Sequence, residues 1–320
     1  MSERGGVDSS PTYLVLAGGL SHERDVSVRS GRRVLDALRG AGVHAEVRDA
    51  DATLLRTLDD ERYAAVLVAL HGGAGEDGAL REVLEISGVP YVGARPGACR
   101  LAWDKPTAKS VAAAAGVASP ASVVLPHAAF RELGAGALLE RIVTHLGLPL
   151  MVKPARGGSA LGCSRVEKAD ELPAAMVSCF AYGEAALIER LVTGTELAVT
   201  VLDTGEGPRA LPAVEIEPLS GVYDYAARYT AGHTSYYAPS RLPDDAADAA
   251  GRAAVAVHVA LGLQDLSRVD LVVEESGTAQ LLEVNTSPGM TETSLLPMAV
   301  EAAGLDLGVV LRTLLGRAAG

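Results

Sequence analysis

The chain has 320 residues, 48% hydrophobic and 21% charged, a composition that suits a soluble protein of two or three compact units. Its 28 basic and 40 acidic residues leave a net charge of −12, which argues against a nucleic-acid partner and requires any anionic ligand to be held by a few locally placed cations. Cys99, Cys163 and Cys179 form no metal-binding pair, no apolar leader opens the chain, and the run 253–263 is too short to cross a bilayer, so a cytoplasmic protein with reduced thiols and no membrane contact is expected.

In chain order, residues 13–17 read as a buried strand ending in the Gly18-Gly19 turn. A helix follows, with apolar positions Val28, Val34, Leu35, Leu38 and Ala41 and a stop at Gly42. Strands at 43–47 and 64–70 come next, the second ending in the glycine-rich loop HGGAGEDG. Strands alternating with helices predict an α/β unit with a parallel sheet, whose ligands sit beyond the strands' carboxyl ends, where both loops lie. A second unit holds a helix at 109–115, a strand at 149–153 and the loop ARGGSALG. The third holds strands at 196–202 and 210–216, a long polar loop, a helix at 243–261 and a final hairpin. The expected units are 1–102, 103–193 and 194–320, in an α/β (α+β) chain.

The hairpin between 266 and 288 carries the most chemistry. A two-residue turn centred on Ser276-Gly277 would place Asp270 opposite Glu283 and Arg268 opposite Asn285. Side chains alternate along a strand, so these four share one face while Val269, Leu271, Leu282 and Val284 take the other. Two carboxylates and an amide oxygen on one patch suit magnesium, which takes oxygen ligands and completes its shell with substrate phosphates. An ordinary solvated acidic face is the competing reading. Lysine is scarce: only Lys105, Lys109, Lys153 and Lys168 occur among the 28 basic residues, so a lysine at a candidate site stands out. No GxxxxGK[ST] loop and no GxGxxG after the first strand are present, which sets aside P-loop and dinucleotide-binding readings.

The segment LLEVNTSPGMTETSLLPM, together with AGGLSHERDVSVRSG, ALHGGAGEDG, WDK, MVKPARGGSALG and YDYAARYTAG in that order, resembles the signatures of D-alanine–D-alanine ligases, members of the ATP-grasp fold. The resemblance spans roughly residues 12 to 315. It implies a substrate domain followed by two ATP-grasp subdomains with ATP between them. By this resemblance Lys105 and Lys153 hold ATP phosphates, and the loop containing Gly158 covers them. Glu189, Arg190 and Val192 belong to the segment whose backbone meets adenine, and Glu196 contacts ribose. Asp270, Glu283 and Asn285 bind Mg2+ or Mn2+. Glu23 anchors the first amino group in a triad with Ser159 and Tyr229, and His71 lies near the first carboxylate. Ser294 and Leu295 receive the second carboxylate, and Arg268 with the Gly289 N–H stabilises the oxyanion.

Three positions depart from the common pattern: Ala160 replaces a serine in the phosphate loop, and Arg190 and Arg228 stand where lysine is usual. A planar guanidinium is not a point charge, so Arg228 could alter phosphate or loop geometry. The expected activity is ATP-dependent joining of two D-alanines for peptidoglycan precursors, by a homodimer. Open beside it stand a ligase with another acceptor (D-serine, D-lactate or an amino acid of a specialised pathway) and a nucleotide-binding regulator without turnover.

Overall fold

Alternate side chains of the first strand enter different cores, and that sets the architecture of the amino-terminal third. The computed structural model describes residues 11–60, 62–219, 221, 223, 227, 228, 230 and 232–320. Strand β1 (Tyr13–Ala17) lies between β2 (Ala45–Asp49) and β3 (Val66–Val68), and β4 (Tyr91–Val92) completes a parallel sheet of order β2-β1-β3-β4. Leu14, Leu16, Val66 and Val68 pack on one face, beneath helices α2 (Leu54–Asp60) and α3 (Ala79–Ile86). Val15 and Leu67 pack on the other, so both faces are apolar as a covered parallel sheet requires.

Helix α1 (Arg24–Gly40) covers that second face, but with a different stripe from the expected one. Its buried residues are Ser27, Ser30, Gly31, Val34 and Leu38, whereas Val28, Leu35 and Ala41 are only half-buried. The serines face inward because they hydrogen-bond the loops at the sheet's carboxyl edge: Ser27 Oγ donates to the Ala69 carbonyl at 2.8 Å. The second strand starts two residues later than expected because Val43 closes α1, its N–H donating to Leu38 O at 2.9 Å.

The middle third runs through α4 (Pro96–Trp103), α5 (Lys105–Ala114), β5 (Ser122–Pro126), α6 (His127–Leu133), α7 (Ala135–Leu146), β6 (Leu150–Pro154), β7 (Ser164–Val166), α8 (Leu172–Phe180) and β8 (Ala185–Arg190). Its antiparallel sheet has the order β5-β8-β6-β7 and its own core around Leu150, Val152, Leu172 and Ile188. The last third contains β9 (Thr195–Leu202), β10 (Arg209–Ala210), β11 (Val214–Pro218), β12 (Thr234–Tyr237), α9 (Asp244–Ala260), β13 (Leu266–Val273), β14 (Ala279–Asn285), α10 (Leu295–Ala302) and α11 (Leu307–Ala319). The expected strand at 210–216 is two, β10 and β11, separated by Leu211-Pro212-Ala213, where proline cannot donate to a ladder. The thirds interlock: α5 packs on β14, and α11 returns to α1 and β4.

The hairpin β13-β14 pairs Arg268 with Asn285, Val269 with Val284 and Asp270 with Glu283. Beyond Asp270 the register shifts, so Leu271 meets Leu281 and Val273 meets Ala279. The turn is one residue longer than expected. Glu274 N–H donates to Thr278 O at 3.0 Å, Gly277 N–H to Glu274 O at 2.8 Å, and Gly277 takes φ +82°, the left-handed conformation that glycine alone adopts freely. The extra residue is absorbed by a bulge at Leu282, which therefore leaves the apolar face assigned to it and joins Glu283 on the cleft wall.

Candidate active site

Two adjoining cavities open between the three sheets. The smaller, of about 80 Å³, is built from the carboxyl edge of the parallel sheet and the segment after β14. Glu23, just before α1, is buried there, and a Cβ at Gly72 would sit 2.5 Å from its Oε2. Gly72 also has φ +67°, a left-handed backbone that any side chain would strain, so glycine suits that turn. His71 is fixed through both ring nitrogens, with Nδ1 3.0 Å from Ser287 O and Nε2 2.8 Å from Ser30 Oγ. A carbonyl only accepts, so Nδ1 carries the proton and Nε2 accepts from the serine. Burial, aided by the Arg268 charge, lowers its pKa to about 4 and keeps the ring neutral. The same stitching continues in Ser21 Oγ to His71 O (2.6 Å), Ser287 Oγ to Leu70 O (2.8 Å) and Thr286 Oγ1 to Glu76 O (3.2 Å).

The larger cleft, of about 710 Å³, lies between the two antiparallel sheets. Lys105, at the start of α5, donates to Gly157 O in the glycine-rich loop and sits 3.3 Å from Glu283. Lys153 on β6 pairs with Glu189 Oε2 at 2.5 Å, and Lys109 contacts the other oxygen, Oε1. Burial would raise the Glu189 carboxyl, but Lys153 and Lys109 outweigh it and hold it below the ordinary range. Lys109 is pushed down to about 8, by burial first and the like charge of Lys153 next, partly offset by Glu189.

Asp270 and Glu283 face this cleft together, and Asp270 is only 4% exposed, which removes the reading of a solvated acidic face. Arg268 grips Asp270 in a fork, at 2.7 and 2.8 Å. Arg228 reaches Gly158 O at 2.9 Å and Glu283 at 3.4 Å, tying the phosphate-loop region to the hairpin. Burial acts to raise Glu283, but Lys105, Arg228 and Lys153 prevail and bring it to about 2. Glu196 goes the other way, to about 7, through burial and the anions Asp270 and Glu283. Asn285 lines the small cavity, and its Oδ1 accepts the Ser287 N–H at 2.8 Å. The donor set at the seam is therefore oxygen only. Among the described residues no three His, Cys, Asp or Glu side chains gather to hold a metal by themselves. A cation here would need further oxygens from a phosphate, which fits magnesium.

The expected site residues fall into these two spaces. Lys105, Lys153, Gly158, Ser159, Glu189, Arg190, Val192, Glu196, Arg228, Asp270 and Glu283 line the large cleft. His71, Arg268, Asn285, Gly289, Ser294 and Leu295 line the small cavity, and Glu23, Gly158 and Arg228 line both. Tyr229 lies outside the described residues. Ala160, the departure in the phosphate loop, holds a left-handed backbone with φ +59°, unusual for a residue with a Cβ. Sequence reasoning assigned no role to Glu76, Lys109 or Leu282. Glu76 is buried against the small cavity and raised to about 7 by burial and its neighbour Glu23, and it accepts the Gly72 N–H at 2.8 Å. Its signal was its place inside HGGAGEDG, and that of Lys109 was the scarcity of lysine.

Residues 111–316 match the family model described as the D-ala D-ala ligase C-terminus. A D-alanine–D-alanine ligase of Anaeromyxobacter dehalogenans is 40% identical, covering 95% of this chain and 96% of that one. Among solved structures, the VanG D-Ala:D-Ser ligase from Enterococcus faecalis superposes with a TM-score of 0.83 at 28% identity, covering 97% of this chain and 99% of that one. The D-alanine–D-alanine ligase from Bacillus anthracis complexed with ATP gives 0.79 at 26% identity, covering 97% of each chain.

Proposed function

The chain belongs to the D-alanine–D-alanine ligase family, and from that membership and the paired cavities we propose that it joins two D-alanines at the expense of ATP. Its fold is the ATP-grasp fold, and the dipeptide would serve peptidoglycan precursor synthesis. The observation that carries this reading is the hairpin that spans both spaces: Asp270 and Glu283 line a nucleotide-sized cleft, and Arg268 and Asn285, two residues along the same strands, line the adjoining cavity sized for small amino acids.

ATP lies in the large cleft, with Lys105 and Lys153 toward its phosphates, Glu196 toward the ribose and the segment Glu189, Arg190 and Val192 against adenine. Asp270, Glu283 and Asn285 would hold Mg2+ (or Mn2+), which when bound neutralises phosphate charge. Glu23 fixes the ammonium of the first D-alanine, and the neutral His71 shapes the wall near its carboxylate. That carboxylate attacks the γ-phosphorus, the bond to ADP breaks, and an acyl phosphate forms. Lys105, Lys153 and Arg228 hold the transferring charge without having to reorganise. Ser294 and the Leu295 N–H orient the second D-alanine, whose amine attacks the acyl carbon. Arg268 and the Gly289 N–H stabilise the oxyanion until phosphate departs. Ser159, with Tyr229, completes the contacts of Glu23 and helps exclude water.

D-Serine is the second acceptor to consider, because a D-Ala:D-Ser ligase is among the structures that superpose. Phosphate release with D-Ala, L-Ala, D-Ser and D-lactate decides: D-Ala-dependent release with dipeptide formation supports the first reading, and release that requires D-Ser supports the other. ATP binding without release under any pair would overturn both. No helix among the described residues is long and apolar enough to cross a membrane. A cytoplasmic homodimer that binds no nucleic acid completes the reading, in keeping with the net charge of −12.

A further inference from the structure

Lys109 is a buried cation that no part of the mechanism uses. It does not line the nucleotide cleft, although Lys105, Lys153 and Glu189 do. Its ammonium sits behind them, in contact with Glu189 Oε1 and donating to the Leu281 carbonyl on β14 at 2.9 Å. Its side chain is 7% exposed and that of Glu189 is 2% exposed, so water does little to screen either charge.

One carboxylate is thus shared between two lysines, one oxygen to each. Lys153 holds Oε2 at 2.5 Å from the cleft side, and Lys109 holds Oε1 from the interior. Two ammonium groups and one carboxylate leave a net single positive charge. Lys109 cannot reach the cleft, so the excess is expressed through Lys153. Without Lys109, Glu189 and Lys153 would form a neutral pair, and the phosphates would meet one positive charge fewer. We propose that Lys109 is a positioning residue for the nucleotide: it occupies half of Glu189 so that Lys153 keeps an uncompensated charge for the phosphates. Its bond to Leu281 O, two residues before Glu283, also fixes this arrangement relative to the hairpin.

The inference rests on the reading of the large cleft as an ATP site, and equilibrium binding keeps the two separable. Calorimetric titration of the full chain with ATP and, separately, with adenosine compares wild type, Lys109→Met, Glu189→Gln and the double variant, with thermal melting as the check on folding. Loss of one charge near the phosphates should weaken ATP binding by about tenfold in Lys109→Met and flatten its salt dependence. Adenosine, which carries no phosphate, should bind Lys109→Met as it binds wild type. The double variant restores the net charge, so the ratio of its ATP affinity to its own adenosine affinity should return to within about threefold of the wild-type ratio, whatever the substitution does to the adenine contacts. It also leaves no buried carboxylate short of a partner, so it carries the test if Lys109→Met fails to fold. Unchanged ATP affinity in Lys109→Met, equal weakening of ATP and adenosine in that variant, or a double variant whose ATP-to-adenosine affinity ratio stays well below the wild-type ratio would each overturn the inference. Failure of the wild type to bind ATP would overturn the nucleotide site and this inference with it.

Discussion

Glu283→Gln separates the role of a carboxylate as a cation ligand from its role as a partner for basic side chains. The substitution keeps the shape and removes the charge. Burial favours the neutral acid, yet Lys105 at 3.3 Å and Arg228 at 3.4 Å help to hold Glu283 at about 2 instead of 4.5. A lowered pKa of this size corresponds to roughly 3 kcal/mol of stabilisation, fully present above pH 4.5 and lost as pH falls toward 2. The variant forgoes about 3–5 kcal/mol at neutral pH, as when one partner of a buried ion pair is removed, against about 5–15 kcal/mol for a typical domain, and thermal melting checks that it folds. Lys105 and Arg228 keep their bonds to Gly157 O and Gly158 O but lose a negative neighbour, so metal-free ATP should bind at least as tightly as in wild type. Turnover should fall about 10²- to 10³-fold, because the cation at the transferring group loses one of two carboxylates. The assays are calorimetric ATP binding in a chelator and phosphate release in saturating magnesium. Turnover within a few-fold of wild type would remove the metal assignment. A parallel loss of metal-free ATP affinity would show that the damage is to cleft geometry instead.

Two further substitutions test parts of the structure away from the phosphates. His258 is buried with Nδ1 2.8 Å from Ser267 Oγ, and burial lowers its pKa from 6.5 to about 4. A base so lowered contributes stability that is complete above pH 6.5 and lost as pH falls toward 4. The stability advantage of wild type over His258→Gln in urea unfolding should therefore shrink by roughly 3 kcal/mol between pH 7.5 and 4.5, and a constant difference would dismiss the argument. Arg81 is fully buried and donates to Gly75 O at 2.6 Å and Thr286 O at 3.2 Å, joining the loop of Glu76 to the loop of Asn285. Arg81→Met orphans both carbonyls and should cost about 2–4 kcal/mol, with kcat/KM for D-alanine falling even where thermal melting shows the protein folded. Wild-type kinetics in the folded variant would mean that the clamp does not shape the cavity.

Local periodicity carried much of the fold, and it failed where a side chain answered to a distant partner. The strand at 13–17 was legible because its residues are buried on both faces of a covered sheet. The inner face of α1 was not, because Ser27 and Ser30 face inward to bond Ala69 O and His71, partners some forty residues away. Strand β4 has two residues, too few to show any period. Much of the candidate site could be placed from the motif resemblance because the motifs are contiguous. The pairing that governs it could not. Nothing local to Glu189 says that its carboxylate is divided between Lys109 and Lys153, or that Glu283 is held by Arg228 from 55 residues away.

The hairpin shows how a correct placement can rest on an incomplete path. A two-residue turn with an unbroken ladder puts Asp270 opposite Glu283. The actual three-residue turn, left unbroken, would put Glu283 opposite Val269 and turn it toward the core. The bulge at Leu282 cancels the shift, and its cause is written in the spacing of buried residues. On β13, Val269 and Leu271 enter the core two apart; on β14, Leu281 and Val284 enter the same core three apart. Two strands whose core-facing intervals differ by one cannot pair regularly, so one residue must be extruded. The extruded residue is Leu282, which lines the cleft beside Glu283 and gives an otherwise charged wall an apolar surface near the nucleotide. An odd interval between apolar positions on one arm of a hairpin, set against an even interval on the other, is thus a readable sign of a bulge, and here it accounts for both the meeting of the carboxylates and the leucine beside them.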